Sequence, residues 1–206
     1  MDQYKKRETK EAANSIASSV AMTEPHTREN IVSESFRQFI DRSYHKVSID
    51  SICLELGISK GAVFHYFNSK YDLACESLLQ GFNKLWSPHL KQIIEKGTPQ
   101  EKLIQFIRSS VQMFMEHPTI RRLSYEVYEE GTNRKRQCNE WLNSYKDHMN
   151  LAARLYEDCG VSNPLGKARI LIASLEGISF LFISDDSDVQ LDAESVSRDL
   201  VELFVP

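Results

Sequence analysis

The chain has 206 residues, of which 41% are hydrophobic and 26% are charged, and its formal net charge is −4 at pH 7. This composition is ordinary for a soluble globular protein, and no apolar run reaches the roughly 18–20 residues of a membrane span, so we expect a cytoplasmic protein without a membrane partner. Four scattered cysteines without a C-x-x-C pair favour reduced thiols over a disulfide framework. Charges balance over residues 1–72, so the acidic surplus behind them does not exclude nucleic acid as a partner of the front segment.

Residues 1–26 are poor in large apolar side chains and rich in Ser, Ala, Lys and Glu, which predicts a mobile N-terminal tail. From residue 27 onward the apolar positions recur with helical period, and each break carries a capping or stop residue. Thr27 can cap the first helix, and Ser48 can cap a short second helix that ends at Gly57. Ser59 can cap a short third helix, and Ser69 a longer fourth one.

Turn signals divide the rest of the chain into further helices. Thr98-Pro99-Gln100-Glu101 combines a threonine cap, a proline at the first helical position and a glutamate that can reach back. Later breaks are expected at His117-Pro118, Gly131, Gly160 and Asn163-Pro164. These breaks predict helices near residues 99–116, 119–130, 133–158, 164–184 and 192–204. The sequence shows no two-residue alternation and no hairpin turn, so the predicted fold class is all-α with about nine helices.

The unit spanning residues 49–67 has the dimensions of a helix-turn-helix. Gly57 can adopt the positive φ that its sharp turn requires. Gly61 and Ala62 keep the start of the third helix slim enough to lie against DNA, while Val63 and Phe67 can face inward. This arrangement leaves polar and aromatic side chains for a major groove lined by phosphates. The residues left on or near the outer surface are Lys60, Gly61, Phe64, His65 and Tyr66.

The same segment resembles the DNA-binding domain of the tetracycline-repressor family. The matching stretches are Ser48-Ile49-Asp50-Ser51-Ile52, then residues 56–67, then Ser69-Lys70-Tyr71-Asp72-Leu73. The resemblance implies a DNA-binding domain over residues 27–73 and a ligand-binding and dimerisation domain over residues 74–206. It further implies a homodimeric transcriptional regulator, usually a repressor, that binds double-stranded DNA at a pseudo-palindromic operator and responds to a small-molecule effector.

The resemblance also implies roles for individual residues of the DNA-binding domain at residues 27–73, called the reader below. Lys60, Gly61 and Phe64 are the expected base-edge contacts, on a third helix that enters the major groove. Backbone phosphates are the expected partners of Ser48, His65, Tyr66 and Lys70. The complete set of expected DNA-binding residues is Ser48, Ser59, Lys60, Gly61, Ala62, Phe64, His65, Tyr66 and Lys70. Two residues depart from the family pattern: Phe64 replaces a usual tyrosine, and Ser43 replaces a usual glycine after the first helix.

In this family the helices behind the reader form a ligand pocket and a dimer interface. Aromatic residues concentrate in helices four to seven, which suits a cavity for a small, largely apolar ligand, although such a stripe is also typical of core. The candidate pocket residues are Phe82, Trp86, Phe106, Met113, Phe114, Tyr125, Tyr128, Trp141, Tyr145 and Met149. Helix eight is apolar around most of its circumference and must therefore be buried on all sides, which makes it the candidate dimer helix. With the last helix it supplies the candidate interface residues Leu171, Ser174, Leu175, Gly177, Ile178, Phe182, Leu200 and Phe204.

An enzyme is the first alternative, because Gly57-Ile58-Ser59-Lys60-Gly61 matches the G-x-S-x-G pattern of hydrolases. That serine must follow a β-strand, whereas an amphipathic helix precedes it here, so we expect no catalytic residues and no enzyme. The sequence carries no phosphate-binding, dinucleotide or zinc motif, so we expect no cofactor and no metal. A cysteine redox sensor is the second alternative, although only Cys138 has basic residues nearby. A purely structural helical protein, the third, would leave the capped unit at 49–67 unexplained.

Overall fold

The structure is a computed structural model that describes residues 27–136, 138–183 and 191–206. The predicted tail at residues 1–26 and the acidic loop at 185–188 lie outside these ranges. Within them the chain forms nine α-helices and no strand, which confirms the all-α prediction. The helices are α1 Thr27–Arg42, α2 Ile49–Leu56, α3 Lys60–Tyr66, α4 Lys70–Glu95, α5 Pro99–Glu116, α6 Pro118–Asn133, α7 Asn139–Asp158, α8 Pro164–Ile183 and α9 Ala193–Phe204.

Side-chain caps begin α2, α3 and α4 where the sequence predicts them, and Thr27, the predicted cap of α1, is the first residue of that helix. The Ser48 side chain accepts the Ser51 N–H at the start of α2, and Gly57 ends that helix with a φ of 65°. Ser59 and Ser69 cap α3 and α4 in the same way. Each cap satisfies a backbone donor that the helix itself leaves unpaired, and this fixes the angle at which the next helix starts.

One predicted boundary is wrong. Helix α6 continues through Gly131 to Asn133, and α7 begins at Asn139 instead of near residue 133. Gly131 is buried, and a Cβ built on it would lie 2.4 Å from the Tyr71 hydroxyl of α4. The glycine therefore allows two helices to approach closely, which a sequence pattern does not distinguish from a stop signal.

Two hydrophobic clusters fill the described part of the chain, and α4 runs through both. The first contains the inner faces of α1–α3, the start of α4 and three α6 residues, Ile120, Leu123 and Val127. The second lies among α5, α7, α8 and α9 and contains Trp86 and Ile93 of α4. The reader thus shares its core with α6, so its packing depends on a helix from the rear of the chain. No helix in the described ranges combines the length and the apolar character needed to cross a bilayer.

Candidate nucleic-acid interface and regulatory site

Helix α3 presents one outward and one inward face. Val63 is fully buried and Phe67 is 4% exposed, so both anchor the helix in the first cluster, as predicted. Phe64 and Tyr66 are 49% and 41% exposed, values high for large aromatic side chains in a monomeric protein. The other predicted readers on this face, Lys60, Gly61 and His65, are also exposed, and Ala62 is half-buried.

Lys60 begins α3 and reaches across the turn to α2. Its Nζ lies 2.8 Å from the Asp50 carboxylate, and both side chains are largely exposed. The hydrogen bond to Asp50 raises the pKa of the Lys60 ammonium, so it stays charged at neutral pH. The sequence pattern does not reveal this role of Asp50, because acidic residues are common in the first turn of any helix, where they interact favourably with the helix dipole.

Lys70, the first residue of α4, is tied to the α1–α2 connection. Its Nζ donates to the carbonyl oxygens of Tyr44 and Val47 at 2.8 and 2.9 Å, and it lies 4.1 Å from the centre of the Tyr44 ring. Burial lowers the pKa of Lys70. Lys70, the predicted phosphate contact, therefore also supports the α1–α2 connection. The sequence could not indicate this second role, because backbone carbonyls leave no sequence signal.

Ser43 follows α1 with a φ of 83°, in the left-handed region that favours glycine. The departure from the family pattern at this position thus leaves the backbone turn in place. The next residue, Tyr44, donates its N–H to a Glu126 carboxylate oxygen at 2.7 Å, and Arg122 donates to the carbonyl of Ile40 at 2.7 Å. Glu126 and Arg122 both lie on α6, so this helix is hydrogen-bonded to the end of α1 and to the turn between α1 and α2.

The predicted ligand-pocket residues differ in their surroundings. Trp86, Phe106 and Phe114 are buried core, with Trp86 and Phe106 packed on the His148 ring at centroid distances of 4.3 and 4.7 Å. Tyr145 and Met149 are half-buried against the same cluster. Tyr125 and Tyr128 are 36% and 61% exposed, and Tyr128 lines an open pocket of about 580 Å³ together with Tyr71 and Leu142. The side chain of Trp141 lies outside the described residues.

Phe82 and Met113 do line a cavity between α4, α5 and α6. Its volume is about 20 Å³, which is room for a water molecule and far below the roughly 300–1,000 Å³ of a small-molecule site. The cavity wall is formed by Leu78, Phe82, Leu85, Met113, His117, Ile120, Arg121 and Ser124. The apolar pocket is therefore closed in this state, with a single cationic side chain in its wall that is nine-tenths buried.

That side chain, Arg121, belongs to a buried polar cluster that joins α6 to α8. Its Nη2 forms an ion pair with Glu176 and donates to Ser179 Oγ at 3.3 Å. Phe114 and Tyr125 place their ring centres 4.6 and 5.5 Å from its guanidinium carbon. Burial raises the pKa of Glu176. The sequence signal that could have revealed this pair is Glu176 itself, the only charged residue in the apolar stretch between residues 170 and 183.

The outer face of α8 differs in part from the predicted interface. Leu171, Leu175 and Leu200 are at most 4% exposed within the single chain, because they pack against α5 and α7, so their assignment to a partner contact is wrong. The face that remains open carries Ile170 and Phe180, each 60% exposed. Ala173 and Gly177 are also exposed, Ser174 and Ile178 are half-exposed, and Phe204 of α9 is partly buried. The Phe182 side chain lies outside the described residues.

The cysteines bear on the redox alternative. Cys53, Cys75 and Cys138 are buried thiols, and Cys159 is half-buried. A hydrogen bond with Cys138, followed by burial, raises the pKa of the Cys75 thiol, and burial raises the pKa of Cys53 and Cys159. Raised thiol pKa values disfavour the thiolate that reacts with oxidants, so these three cysteines lack the setting of a redox sensor.

Comparison with known proteins relates the chain to bacterial regulatory proteins. The model of bacterial regulatory proteins of the tetR family matches residues 31–76, and no curated protein matches the chain. A transcriptional regulator from Saccharomonospora viridis, solved with choline, is 16% identical with a TM-score of 0.70, over 87% of this chain and 96% of its own. FadR from Bacillus subtilis, solved with stearoyl-CoA, is 16% identical with a TM-score of 0.65, over 86% and 97%. AibR, solved with isovaleryl coenzyme A and operator DNA, is 14% identical with a TM-score of 0.64, over 87% and 98%.

At these identities the solved structures establish the fold. A capped helix-turn-helix with an exposed second helix, joined to an all-helical rear domain of this shape, defines a DNA-binding transcriptional regulator. The family match falls on the reader itself, and the rear domain has the architecture of the same group. Residues 31–76 match the model of the tetR family of bacterial regulatory proteins, and the described helices share the fold of the solved regulators.

Proposed function

We propose that this regulator is a repressor that binds a pseudo-palindromic operator as a homodimer and leaves it when a small, largely apolar ligand enters the rear domain. The observation that carries the proposal is the pair of contacts from α6 to the reader. Arg122 holds the Ile40 carbonyl and Glu126 holds the Tyr44 N–H, while the opposite side of the same helix lines the apolar cavity. A ligand that separates the cavity walls must therefore act on a helix that positions the reader.

The DNA-binding half of the proposal rests on the outward face of α3. Lys60, Gly61 and Phe64 are proposed to read base edges, Phe64 through contact with a thymine methyl group. Ser48, His65, Tyr66 and Lys70 are proposed to contact the phosphate backbone. Ser59 and Ala62 hold the start of α3, where the Ser59 side chain accepts the Ala62 N–H at 3.2 Å. The similarly folded AibR was solved with operator DNA, which supports the same use of the reader here.

The ligand half rests on the apolar cavity and on the fold relatives. Two of the three similar structures hold acyl-CoA esters and the third holds choline, so the fold accommodates ligands of different charge. A ligand lowers operator affinity only if it binds the DNA-incompetent state better, and a coupling of about 1–3 kcal/mol corresponds to a 5–150-fold loss.

Selection of bound duplexes from a random pool tests the proposal with the full chain. We expect enrichment of a two-fold related sequence with half-sites about 34–36 Å apart, one turn of DNA. Lys60→Ala should relax the preference at particular base positions, at a cost of roughly 1–3 kcal/mol. Asp50→Asn is the matched control: it frees Lys60 from its ion pair and removes a negative charge, so it should keep the preference and strengthen binding.

Failure to enrich any sequence would contradict the DNA-binding half. A loss of affinity in Lys60→Ala that is equal for all sequences would remove Lys60 from the base readers and place it among the phosphate contacts. Ligand-induced tightening on the operator would make the protein a regulator that requires its ligand for binding, and would contradict release.

A further inference from the structure

We propose that the effector is an apolar carboxylic acid, whose carboxylate takes the place of Glu176 on the guanidinium of Arg121 while its hydrocarbon body occupies the cavity between α4, α5 and α6. This inference rests on the proposed function, because it names the chemical class of the ligand that releases the DNA. The observation that carries it is the position of Arg121 in the wall of the cavity.

Arg121 lies on the inner face of α6, where its neighbours Ile120 and Leu123 are core residues. It is 7% exposed, and it borders the cavity beside Phe82 and Met113. A buried charge is costly unless it is paired and hydrogen-bonded, so an arginine at this position requires an anionic partner. The other polar residues of the wall are His117 and Ser124, so Arg121 carries the permanent charge that can select the charge of a ligand.

The guanidinium uses only part of its hydrogen-bonding capacity. Its Nη2 donates to Glu176 and Ser179, whereas its buried Nε–H has no hydrogen-bond partner among the residues that the structure describes. A carboxylate binds a guanidinium best through two parallel N–H groups, which makes an open Nε–H the natural second donor for a bidentate ligand. The rings of Phe114 and Tyr125 flank the guanidinium and hold its plane in place.

Glu176 is a partner that can be displaced. Its side chain keeps 25% of its surface exposed, so it can turn to solvent when another carboxylate arrives. Burial raises the pKa of its carboxyl group, which means that its charged form is poorly stabilised where it stands. An incoming acid would thus replace the Glu176 carboxylate with one that binds the Arg121 guanidinium through two N–H groups.

A cationic ligand does not fit the same wall. A quaternary ammonium in the cavity would face the Arg121 charge. No compensating charge comes from His148, which packs on Trp86 and Phe106, because burial and then the charge of Arg121 lower the pKa of this imidazole to about 3. The cavity of about 20 Å³ must open for any ligand body, and Met113 in its wall is a flexible side chain that can move.

The exchange also reaches the reader. Arg121 and Arg122 are consecutive on α6: the first is paired with α8, and the second holds the Ile40 carbonyl of α1. Loss of the Arg121–Glu176 pair therefore removes an ion pair between α6 and α8 on the same helical turn whose Arg122 is hydrogen-bonded to α1.

The test measures binding to the full-length protein by calorimetry and by thermal shift, with octanoate and phenylacetate as probes. Octanamide and octyltrimethylammonium serve as the matched neutral and cationic compounds. We expect both acids to bind and to stabilise the protein, and the amide and the ammonium to bind at least about tenfold more weakly. Arg121→Met should lower octanoate affinity at least about tenfold, while Arg121→Lys, which keeps the charge but loses the fork, should give a smaller loss.

Glu176→Gln separates this proposal from a structural role of the ion pair. It removes the competing carboxylate and should raise octanoate affinity several-fold. If the pair only held the fold together, replacing either Glu176 or Arg121 would lower octanoate affinity. Arg108→Met, an exposed arginine of α5, is the control for loss of positive charge and should leave affinity unchanged. Because Glu176→Gln and Arg121→Lys keep the size of the side chain, they remain informative if Arg121→Met does not fold.

The proposal is overturned if no acid of the panel binds, if the amide or the ammonium binds as tightly as the acids, or if Glu176→Gln weakens octanoate binding. Operator binding by the ligand-free protein is measured in parallel. A protein that binds its operator and is released by neutral or cationic compounds retains the proposed function and loses this inference, whereas a protein that selects no DNA loses the proposed function itself.

Discussion

At the scale of single residues, the two lysines of the reader have different surroundings. Lys60 is exposed and its one partner, Asp50, is itself exposed, so its ammonium is available to a base edge. Lys70 is half-buried and donates to two backbone carbonyls. The resemblance to the family predicted DNA contacts for both, yet only the structure shows that Lys70 also supports the α1–α2 connection.

Replacement of Lys70 should therefore affect folding as well as DNA binding. Lys70→Met removes two hydrogen bonds from a charged donor and should lower the free energy of unfolding by about 1–3 kcal/mol in the absence of DNA. Urea unfolding measures this loss. Lys46→Met, an exposed lysine of the same connection, is the control and should change stability by less than about 0.5 kcal/mol. Equal stability of the two variants would mean that Lys70 does not support the turn.

His148 makes the rear domain sensitive to acid. Burial, followed by the charge of Arg121, lowers the pKa of its imidazole to about 3 from an ordinary value of 6.5. Between these two pH values the unfolded chain binds a proton that the folded chain does not, so stability falls as the pH decreases, by up to about 1.4 kcal/mol per pH unit.

His148→Gln should abolish this contribution, because an amide stays neutral in both states. Urea unfolding at about pH 7, 6 and 5 should give a shallower dependence of stability on pH for the variant than for the parent protein, since all other titrating groups are common to both. Parallel curves for the two proteins would show that His148 does not titrate differently on folding.

At the scale of secondary structure, the predictable elements are those whose ends carry chemical signals. Ser48, Ser59 and Ser69 each accept a backbone N–H, and Gly57 takes a positive φ, so the helix-turn-helix could be read from the sequence. The end of α6 could not, because the role of Gly131 depends on how closely α4 approaches it. The pair formed by Arg121 and Glu176 lies 55 residues apart in the chain, a distance at which helical periodicity carries no information.

Gly131→Ala tests the close approach of α6 to α4. The added methyl group would lie 2.4 Å from the Tyr71 hydroxyl and 2.9 Å from the Arg136 carbonyl oxygen, so we expect a destabilisation of about 1–3 kcal/mol. Helix propensity alone would give the opposite sign, by up to about 1 kcal/mol. Gly61→Ala is the control, since its nearest neighbour is the Ser59 hydroxyl at 3.6 Å, and it should not destabilise the protein. Chemical denaturation compares the two variants, and a stabilised Gly131→Ala protein would contradict the role assigned to this glycine.

At the scale of the whole molecule, α8 has one buried and one exposed apolar face. Its inner face packs on α5 and α7, while Ile170, Phe180 and Leu181 expose 60%, 60% and 40% of their surface. Contiguous apolar surface of this kind marks an interaction site in a soluble protein. The small residues Ala173 and Gly177 lie among these side chains and permit close approach of a second helix. We propose that a second copy of the chain covers this face and forms the homodimer that the proposed function requires.

Gly177→Glu tests this assembly. A Cβ at position 177 meets no atom within 4 Å in the single chain, so the variant should fold as a monomer without difficulty. In a dimer the same carboxylate would be buried without a partner, at a cost of several kcal/mol, and sedimentation at micromolar concentration should show dissociation. Asn150→Glu, at an exposed position of α7, adds the same charge away from this face and should leave the dimer intact. Operator affinity should fall in Gly177→Glu alone, because each half-site would then be bound independently. A monomeric parent protein, or a Gly177→Glu protein that remains dimeric, would require a different interface.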